Sequence, residues 1–361
     1  MDRRAFIGLS AAAIAALSGR EALAMQDPAS APDDPVRALA DLLESGYVIP
    51  EIGKLYAAML RQKAATGAYS GISDPAELGR RLTADLAAVS VDRHLRVVPA
   101  AILDRDDRPS PRPADGSGQK PPAVAPAAPP AGPQPPRRVA IEDAGWIASE
   151  VAYIRFTGFP DGPDIAATCD RFMREHATAK AVIIDSRYNG GGGIVPMNAM
   201  LPYLYDKPTV LVQMEMVAAI AKTRGNPFDG DAFVRPASGA APGIVRNEHY
   251  VVPRTDETRL FGAKVFYLVS GRTASAAEHL ALAFKHTGRA TLIGETTAGA
   301  NHFGGFEPIG GGLAVFLPVG RTIDPATGKD WEGTGIAPDI AVSPTLALQE
   351  ALKRAGAAGP A

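Results

Sequence analysis

The sequence is poor in several features that would point directly to a class of function. Its single cysteine, Cys169, excludes an internal disulfide framework and a cysteine-rich metal site. The formal net charge is −2 and no long basic run occurs, so the chain has no electrostatic footprint for nucleic acid. Its six histidines form no His-x-x-x-His or His-Glu-x-x-His pair, and we therefore expect no metal site. Because Cys169 falls on a predicted helix, its best interpretation is a small core residue.

No apolar run reaches the ~20 residues that a membrane-spanning helix needs. The N-terminus instead resembles an export signal. Arg3 and Arg4 form a twin-arginine pattern, an apolar run continues to about Leu17, and Ala22-Leu23-Ala24 offers the small residues of a cleavage site. We expect residues 1–24 to be a signal peptide; an uncleaved anchor is the alternative. This predicts a bacterial protein that is periplasmic or secreted.

Two segments with contrasting compositions precede the main globular part. Residues 35–100 predict a small helical domain of three amphipathic helices that leads into a first core strand, Val91–Val98, with His94 at the junction. Residues 107–138 are rich in proline and alanine: eleven of the 28 residues from 109 to 136 are proline. Such a segment buries too little apolar surface to fold, and it predicts a disordered insert.

The remaining part, residues 139–350, alternates predicted strands and helices. This order indicates an α/β core with a largely parallel sheet. Residues 206–260 are punctuated by glycine and proline, and predict a less regular hairpin or lid that contributes to a substrate groove. The predicted elements are strands 151–156, 180–185, 264–269, 291–294 and 313–318, and helices 164–176, 194–204 and 276–284, with a short C-terminal helix.

Ser275 follows the predicted strand 264–269 and precedes the predicted helix 276–284. At a helix start, unpaired N–H groups and the helix dipole stabilise negative charge, which suits a serine nucleophile whose reaction builds an oxyanion. The pattern Ser-x-x-Glu, completed by Glu278, is also the signature of a capping box. On this motif alone a structural cap is the stronger interpretation.

A glycine run follows the predicted strand 180–185. Gly190 to Gly193 let backbone N–H groups approach a ligand without an intervening Cβ, as in an oxyanion hole or a phosphate cradle. No Gly-Lys-Ser/Thr follows, which disfavours the phosphate interpretation. A plain glycine-rich turn is the remaining alternative.

Four motifs, in order, resemble those of the tail-specific, or C-terminal-processing, serine peptidases of family S41. They are Asp185-Ser-Arg-Tyr-Asn-Gly-Gly-Gly, Arg272-Thr-Ala-Ser-Ala-Ala-Glu278, Gly294-Glu-Thr-Thr-Ala-Gly-Ala-Asn301 and Trp331-Glu-Gly-Thr-Gly-Ile-Ala-Pro-Asp339. The helical segment resembles the branch related to interphotoreceptor retinoid-binding protein. The resemblance implies an α+β fold with a ClpP/crotonase-like ββα core and a mixed sheet.

The resemblance also implies catalytic roles. Many members use a Ser–Lys dyad, but Ala300 stands here at the position of the lysine. The tricorn core protease uses a Ser–His–Glu arrangement, which matches Ser275 as nucleophile, His94 as base and Glu332 as the residue that orients it. One departure is Arg93, which replaces the serine that precedes the histidine in tricorn.

The backbone N–H groups of Ala276 and of Gly191 or Gly192 would then form the oxyanion hole. These assignments predict an exported serine peptidase that hydrolyses polypeptides through an acyl-enzyme. The alternatives are a non-catalytic protein that binds apolar ligands on the same fold, or an esterase. We expect a polypeptide substrate, no cofactor, no nucleic acid partner and no integral membrane span in the mature chain, with the oligomeric state left open.

Overall fold

A computed structural model describes residues 34–103 and 139–357. The predicted signal peptide and the whole of the predicted proline-rich insert lie outside the described residues. Within the described ranges the chain forms eight α-helices: α1 (Pro35–Gly46), α2 (Pro50–Ala65), α3 (Pro75–Val89), α4 (Pro163–Glu175), α5 (Val195–Met200), α6 (Ala218–Arg224), α7 (Ala276–Thr287) and α8 (Ala347–Ala355). None of the helices in these ranges is long and apolar enough to cross a membrane.

The same ranges contain twelve β-strands in two six-stranded sheets. The strands are β1 (Arg96–Pro99), β2 (Ile141–Ala148), β3 (Val151–Phe156), β4 (Ala181–Asp185), β5 (Thr209–Val217), β6 (Val234–Ala237), β7 (Ile244–Val251), β8 (Lys264–Val269), β9 (Thr291–Gly294), β10 (Phe303–Gly310), β11 (Leu313–Ile323) and β12 (Ile340–Ala341). The first sheet has the order β1-β11-β5-β7-β6, with β10 also paired to β11, and is antiparallel throughout. The second has the order β12-β9-β8-β4-β3-β2 and is parallel except for the β2–β3 pair.

The mixed second sheet is covered on both faces, as its apolar strands require. Along β4, Val182 and Ile184 enter the main core beneath α7, whereas Ala181 and Ile183 enter a separate core beneath α8. Side chains alternate between the faces of a strand, so the continuous apolar run of β4 fills both cores. Cys169 on α4 is completely buried in the main core, and burial raises the pKa of its thiol to about 12, which confirms its interpretation as a core residue.

The three helices predicted for the N-terminal segment are present as α1, α2 and α3. Asp34 caps α1 by accepting the N–H groups of Val36 and Arg37, and Asp74 caps α3. Their apolar faces pack with β11 of the antiparallel sheet in one core. The helical segment therefore shares its hydrophobic core with a sheet that is built mainly from residues far along the chain.

Some predictions from the pattern were wrong in detail. The helix predicted over residues 194–204 ends at Met200 as α5, and Leu201–Tyr203 form a turn of 3-10 helix. The strand predicted over residues 91–98 begins only at Arg96, because the Asp92 carboxylate accepts the N–H groups of His94 and Leu95 and turns the chain there. Residues 206–260, predicted to be a less regular hairpin or lid, contain three full strands of the antiparallel sheet, β5, β6 and β7, together with the short helix α6. Glycine and proline occupy the turns between these strands and obscured the pattern.

Candidate active site

Three neighbouring parallel strands end at the same edge of the second sheet. The glycine run follows β4, Ser275 follows β8, and residues 295–302 follow β9. Because adjacent parallel strands present their carboxyl ends together, the fold brings these three segments into one crevice.

Ser275 has an unusual backbone conformation. It is one of two residues other than glycine with positive φ in the described ranges, at φ 55° and ψ −124°. Such a conformation costs on the order of 1–3 kcal/mol, and it is maintained only where the surroundings fix it. Here the N–H of Ser275 donates to the Glu278 carboxylate at 3.0 Å.

The glycine run lies directly against Ser275. A Cβ on Gly191 would lie 2.6 Å from the Cβ of Ser275 and 2.9 Å from the N of Ala276, so only glycine fits. A Cβ on Gly192 would lie 2.1 Å from the carbonyl oxygen of Phe159. A backbone hydrogen bond of 3.0 Å from Ala274 to Asn189 fixes the two segments together.

The predicted oxyanion donors differ in their present hydrogen bonds. The N–H of Gly191 donates to the side-chain oxygen of Asn189 at 2.9 Å. The hydrogen bonds among the described residues use neither the N–H of Gly192 nor that of Ala276. The N–H groups of Gly192 and of Ala276, the residue after Ser275, therefore have no acceptor among the described residues, whereas Gly191 supplies the space for the close contact with Ser275.

Glu278 joins the backbone of Ser275 to the segment after β9. Its carboxylate is completely buried and accepts, besides the N–H of Ser275, three bonds from the segment after β9. The donors are the Thr297 hydroxyl at 2.6 Å, the N–H of Gly299 at 2.7 Å and the N–H of Ala300 at 2.8 Å. The capping motif thus serves a tertiary role that the sequence pattern did not indicate.

His94 and Glu332 lie in a second cluster, together with Asp92. One possible ligand atom from each of the three lies within 4.8 Å of the others. Glu332 accepts the N–H of Arg93 at 2.7 Å, so its carboxylate lies against the backbone that carries His94. The His94 Nδ1 atom is buried and has no hydrogen-bond partner, and the ring stacks on Phe316 at 5.5 Å.

The segment after β9 connects the two clusters. Gly299 and Ala300 donate to Glu278 beside Ser275, and the next two residues donate to Glu332. The N–H of Asn301 donates to Glu332 at 2.6 Å, and the N–H of His302 donates at 3.1 Å. Ala300 therefore lies where the segment passes from one cluster to the other.

The electrostatics favour a neutral imidazole at His94. Burial lowers the pKa of His94 below its usual 6.5, although the charge of Asp92 opposes this shift. Burial and then the charge of Asp92 raise the pKa of Glu332 above its usual 4.5. A neutral histidine with an unused ring nitrogen is suited to accept a proton.

His302, which the sequence left without a role, supplies the compensating charge. It is 1% exposed, and its Nδ1 lies 2.7 Å from Asp92 and 4.0 Å from Glu332. Although burial opposes protonation, the carboxylates of Asp330 and Asp92 raise the pKa of His302 to about 9. Tyr47 of the helical segment donates to the same Asp92 carboxylate at 2.8 Å.

Asp92, His94 and Glu332 also have the residue types of a metal site. Asp92, however, already accepts bonds from Tyr47, His302 and two backbone N–H groups, and Glu332 accepts three. With these oxygens engaged and the His302 cation adjacent, the arrangement favours acid–base chemistry over metal binding. No local pattern in the sequence assigns a role to His302 or Asp92.

The comparisons with solved structures support the fold. A candidate peptidase from Parabacteroides merdae matches 87% of this chain and 90% of its own at 18% identity, with a TM-score of 0.54. A lipoprotein from Streptococcus agalactiae matches 90% and 97% at 15% identity, with a TM-score of 0.53. The photosystem II D1 C-terminal processing protease shares 23% identity over 54% of this chain, with a TM-score of 0.41, and the match spans only 43% of that protein.

Two family models match the sequence itself. The N-terminal domain of peptidase S41 in eukaryotic IRBP matches residues 22–134. The model of peptidase family S41 matches residues 150–342, which is more than half of the chain. The chain therefore belongs to peptidase family S41, a family of serine-type peptidases.

Proposed function

We propose that this protein hydrolyses peptide bonds of polypeptides with Ser275 as nucleophile, His94 as general base and Glu332 as the orienting carboxylate. The observation that carries the proposal is the environment of Ser275. Its positive φ, the close approach of Gly191 and two N–H groups without an acceptor meet at the start of α7. A helix cap needs neither the strained backbone nor the glycine contact.

The chemistry follows from these groups. The Ser275 hydroxyl attacks the scissile carbonyl carbon while His94 takes its proton, and the carbonyl electrons move onto an oxygen bound by the N–H groups of Ala276 and Gly192. Collapse of this intermediate breaks the C–N bond, and His94 returns the proton to the leaving amine. Water then attacks the acyl carbon while His94 takes its proton, and the C–O bond to Ser275 breaks as the proton returns to the serine oxygen.

Glu332 serves His94 in two ways under this proposal. Its negative charge stabilises the imidazolium that forms during proton transfer. Its hydrogen bond from the N–H of Arg93 also fixes the backbone that carries the base. The latter contact uses a backbone group, which explains how Arg93 can replace a serine at that position.

The test compares the wild type with Ser275→Ala in the full chain. We expect at least a 1,000-fold loss of peptidase turnover, on the order of the loss seen when a triad member is deleted, because the covalent route is removed. Circular dichroism and the melting temperature should be unchanged. The matched control Ser343→Ala removes an exposed serine hydroxyl and retains activity. A fluorophosphonate probe should label the wild type at Ser275 only.

Two other outcomes would replace the proposal. Ser275-dependent turnover of esters but not of peptides would make the protein an esterase. Absence of a fluorophosphonate adduct together with tight uptake of an apolar ligand would make it a binding protein.

We further propose export through the twin-arginine pathway, on the basis of Arg3, Arg4 and the apolar run that follows. Replacement of both arginines by lysine preserves the charge but removes the recognised pair, so we expect the protein to remain in the cytoplasm of a bacterial host. Fractionation of periplasm and cytoplasm measures this. Unchanged periplasmic accumulation of the lysine variant would contradict the pathway.

A further inference from the structure

A row of buried polar side chains beneath α7 takes no part in the proposed reaction. His279 on α7 contacts His249 on β7, with 2.8 Å between His279 Nε2 and His249 Nδ1. The other nitrogen of His249 lies 2.7 Å from the side-chain oxygen of Asn198 on α5. At the opposite end, the hydroxyl of Thr322 on β11 lies 3.5 Å from His279 Nδ1.

The direction of each hydrogen bond in this row of side chains follows from Asn198 at one end of it. The amide nitrogen of Asn198 donates to the Asp231 carboxylate at 3.3 and 3.4 Å, so its oxygen faces His249 and can only accept. His249 therefore donates from Nε2. Burial lowers the pKa of His249 well below 6.5 and that of His279 to about 4, so both rings are neutral.

A neutral imidazole carries one N–H, and the remaining directions follow from this. His249 Nδ1 has no proton and accepts from His279 Nε2, which leaves His279 Nδ1 to accept from the Thr322 hydroxyl. Each ring nitrogen has one partner and one direction, so the chain has a single satisfied arrangement. Buried networks of this kind rigidify the elements they join.

The elements it joins are those that carry the two free N–H groups beside Ser275. The backbone N–H of His279 donates to the carbonyl of Ser275 at 3.0 Å, one turn into α7. Asn198 lies on α5, the helix that directly follows the glycine run, and its own N–H donates to Ile194 at 3.0 Å. The row of hydrogen bonds thus connects α7, which begins at Ala276, with α5, which follows Gly192 and the rest of the glycine run.

A cavity lies at the Asn198 end of this row of hydrogen-bonded side chains. It has a volume of about 580 Å³ and is lined by residues of α4 and α5 together with Asp231 and Phe233. Ser275, His94 and Glu332 do not line it. The hydrogen-bonded row of side chains therefore links α7 to Asn198 of α5, which lines this cavity.

We propose that His279 and His249 are positioning residues that hold the N–H groups of Ala276 and Gly192 at the separation an oxyanion requires, an inference that rests on the proposed function. The N–H groups themselves belong to different segments, so no covalent geometry fixes their spacing. The imidazole pair connects the two segments by hydrogen bonds of 2.8 and 2.7 Å, each of which has a single direction.

The test replaces His279 by leucine and by glutamine. Leucine has a similar volume but removes the donor to His249, whereas glutamine keeps an N–H at the corresponding place. We expect His279→Leu to lower kcat by about 10- to 100-fold with KM within about twofold, because misplaced oxyanion donors act in the transition state. His279→Gln should restore kcat to within about fivefold of the wild type.

Rates are normalised to active enzyme by the end point of fluorophosphonate labelling, so that misfolded protein does not enter the comparison. The matched control His286→Leu lies on the same helix with a half-buried side chain paired to Asp324, outside the site, and should leave kcat unchanged. Hydrogen exchange by mass spectrometry gives a second readout that is independent of activity. Exchange in residues 190–198 should rise in His279→Leu and return to the wild-type level in His279→Gln.

Equal kcat in His279→Leu and the wild type would overturn the inference. Equal impairment of the leucine and glutamine variants would also overturn it, since packing rather than the hydrogen bond would then matter. Failure of the proposed function has a different signature, namely a wild type without Ser275-dependent turnover. The exchange coupling between His279 and residues 190–198 would still report on the chain in that case.

Discussion

At the residue scale, the close contact between Gly191 and Ser275 is the most demanding local feature of the site. A serine at a helix start is commonplace, and its capping motif does not distinguish a cap from a nucleophile. The distinction comes from the backbone. Ser275 adopts a φ of 55°, and the space that a Cβ on Gly191 would need is already occupied by Ser275 and its neighbours.

Gly191→Ala tests this contact. The added Cβ would lie 2.6 Å from that of Ser275 and 2.7 Å from the carbonyl oxygen of Ala274, both of which are held by hydrogen-bonded backbone. We expect kcat to fall by about 100-fold or more, because even a small displacement of the proposed nucleophile or of the proposed oxyanion donors is costly. Steady-state peptide cleavage measures the loss.

Gly190→Ala is the matched control, since a Cβ there meets nothing within 4 Å and its φ is not positive. It should retain most of the wild-type kcat. Similar activity in both alanine variants would contradict the steric argument.

At the scale of elements, the start of α7 is stabilised by tertiary contacts rather than by its capping motif alone. Glu278 accepts four hydrogen bonds, and three of these come from residues 297–300. The helix that carries Ser275 and the loop that leads to Glu332 therefore share one buried carboxylate.

Glu278→Gln should destabilise the protein by about 2–4 kcal/mol, because an amide has one acceptor oxygen and turns its NH₂ group toward backbone donors. Urea unfolding measures the change in the free energy of unfolding. Glu350→Gln on the solvent side of α8 is the control, since its ion pair with Arg354 is half exposed, and should change stability by about 0.5 kcal/mol or less. Wild-type stability of Glu278→Gln would show that these four bonds are dispensable.

The element scale is also where sequence patterns succeeded and failed most clearly. The strands β4, β8 and β9 are predicted within one residue, because short apolar runs bounded by turn residues suffice to define a buried parallel strand. The start of β1 is predicted incorrectly, because the Asp92 side chain accepts the N–H groups that a strand would use.

At the scale of the whole molecule, the candidate site depends on parts of the chain that are far apart in sequence. Tyr47, Asp92 and His94 come from the helical segment, whereas His302 and Glu332 come from the sheet region. Arg93 and Glu332, which share a hydrogen bond, are separated by 239 positions. The shared core between α1–α3 and β11 brings these groups together.

The buried His302 cation makes stability depend on pH. Its pKa is raised from 6.5 to about 9 in the folded protein, so the folded state binds the proton more tightly than the unfolded state. The stabilisation, about 3 kcal/mol at most, is complete below the unfolded pKa and is lost as pH rises through the folded pKa. We expect it to decline between about pH 6.5 and pH 9.

Urea unfolding of the wild type and His302→Gln across this pH range measures the effect. The difference in the free energy of unfolding between the two proteins should be largest near pH 6 and shrink toward pH 10. A difference that stays constant with pH would contradict a protonated His302 in the folded state.

The sequence by itself determined the main helices, the parallel strands and the presence of a serine and a glycine run at the ends of adjacent strands. These follow from periodicity, capping and turn chemistry, which act over a few residues. Only the tertiary structure decided that Glu278 holds the loop after β9, that His302 balances Asp92, and that His249 and His279 lie end to end. These contacts join residues on different elements, and their side chains carry no local signal because the partner, not the neighbouring sequence, fixes their charge and direction.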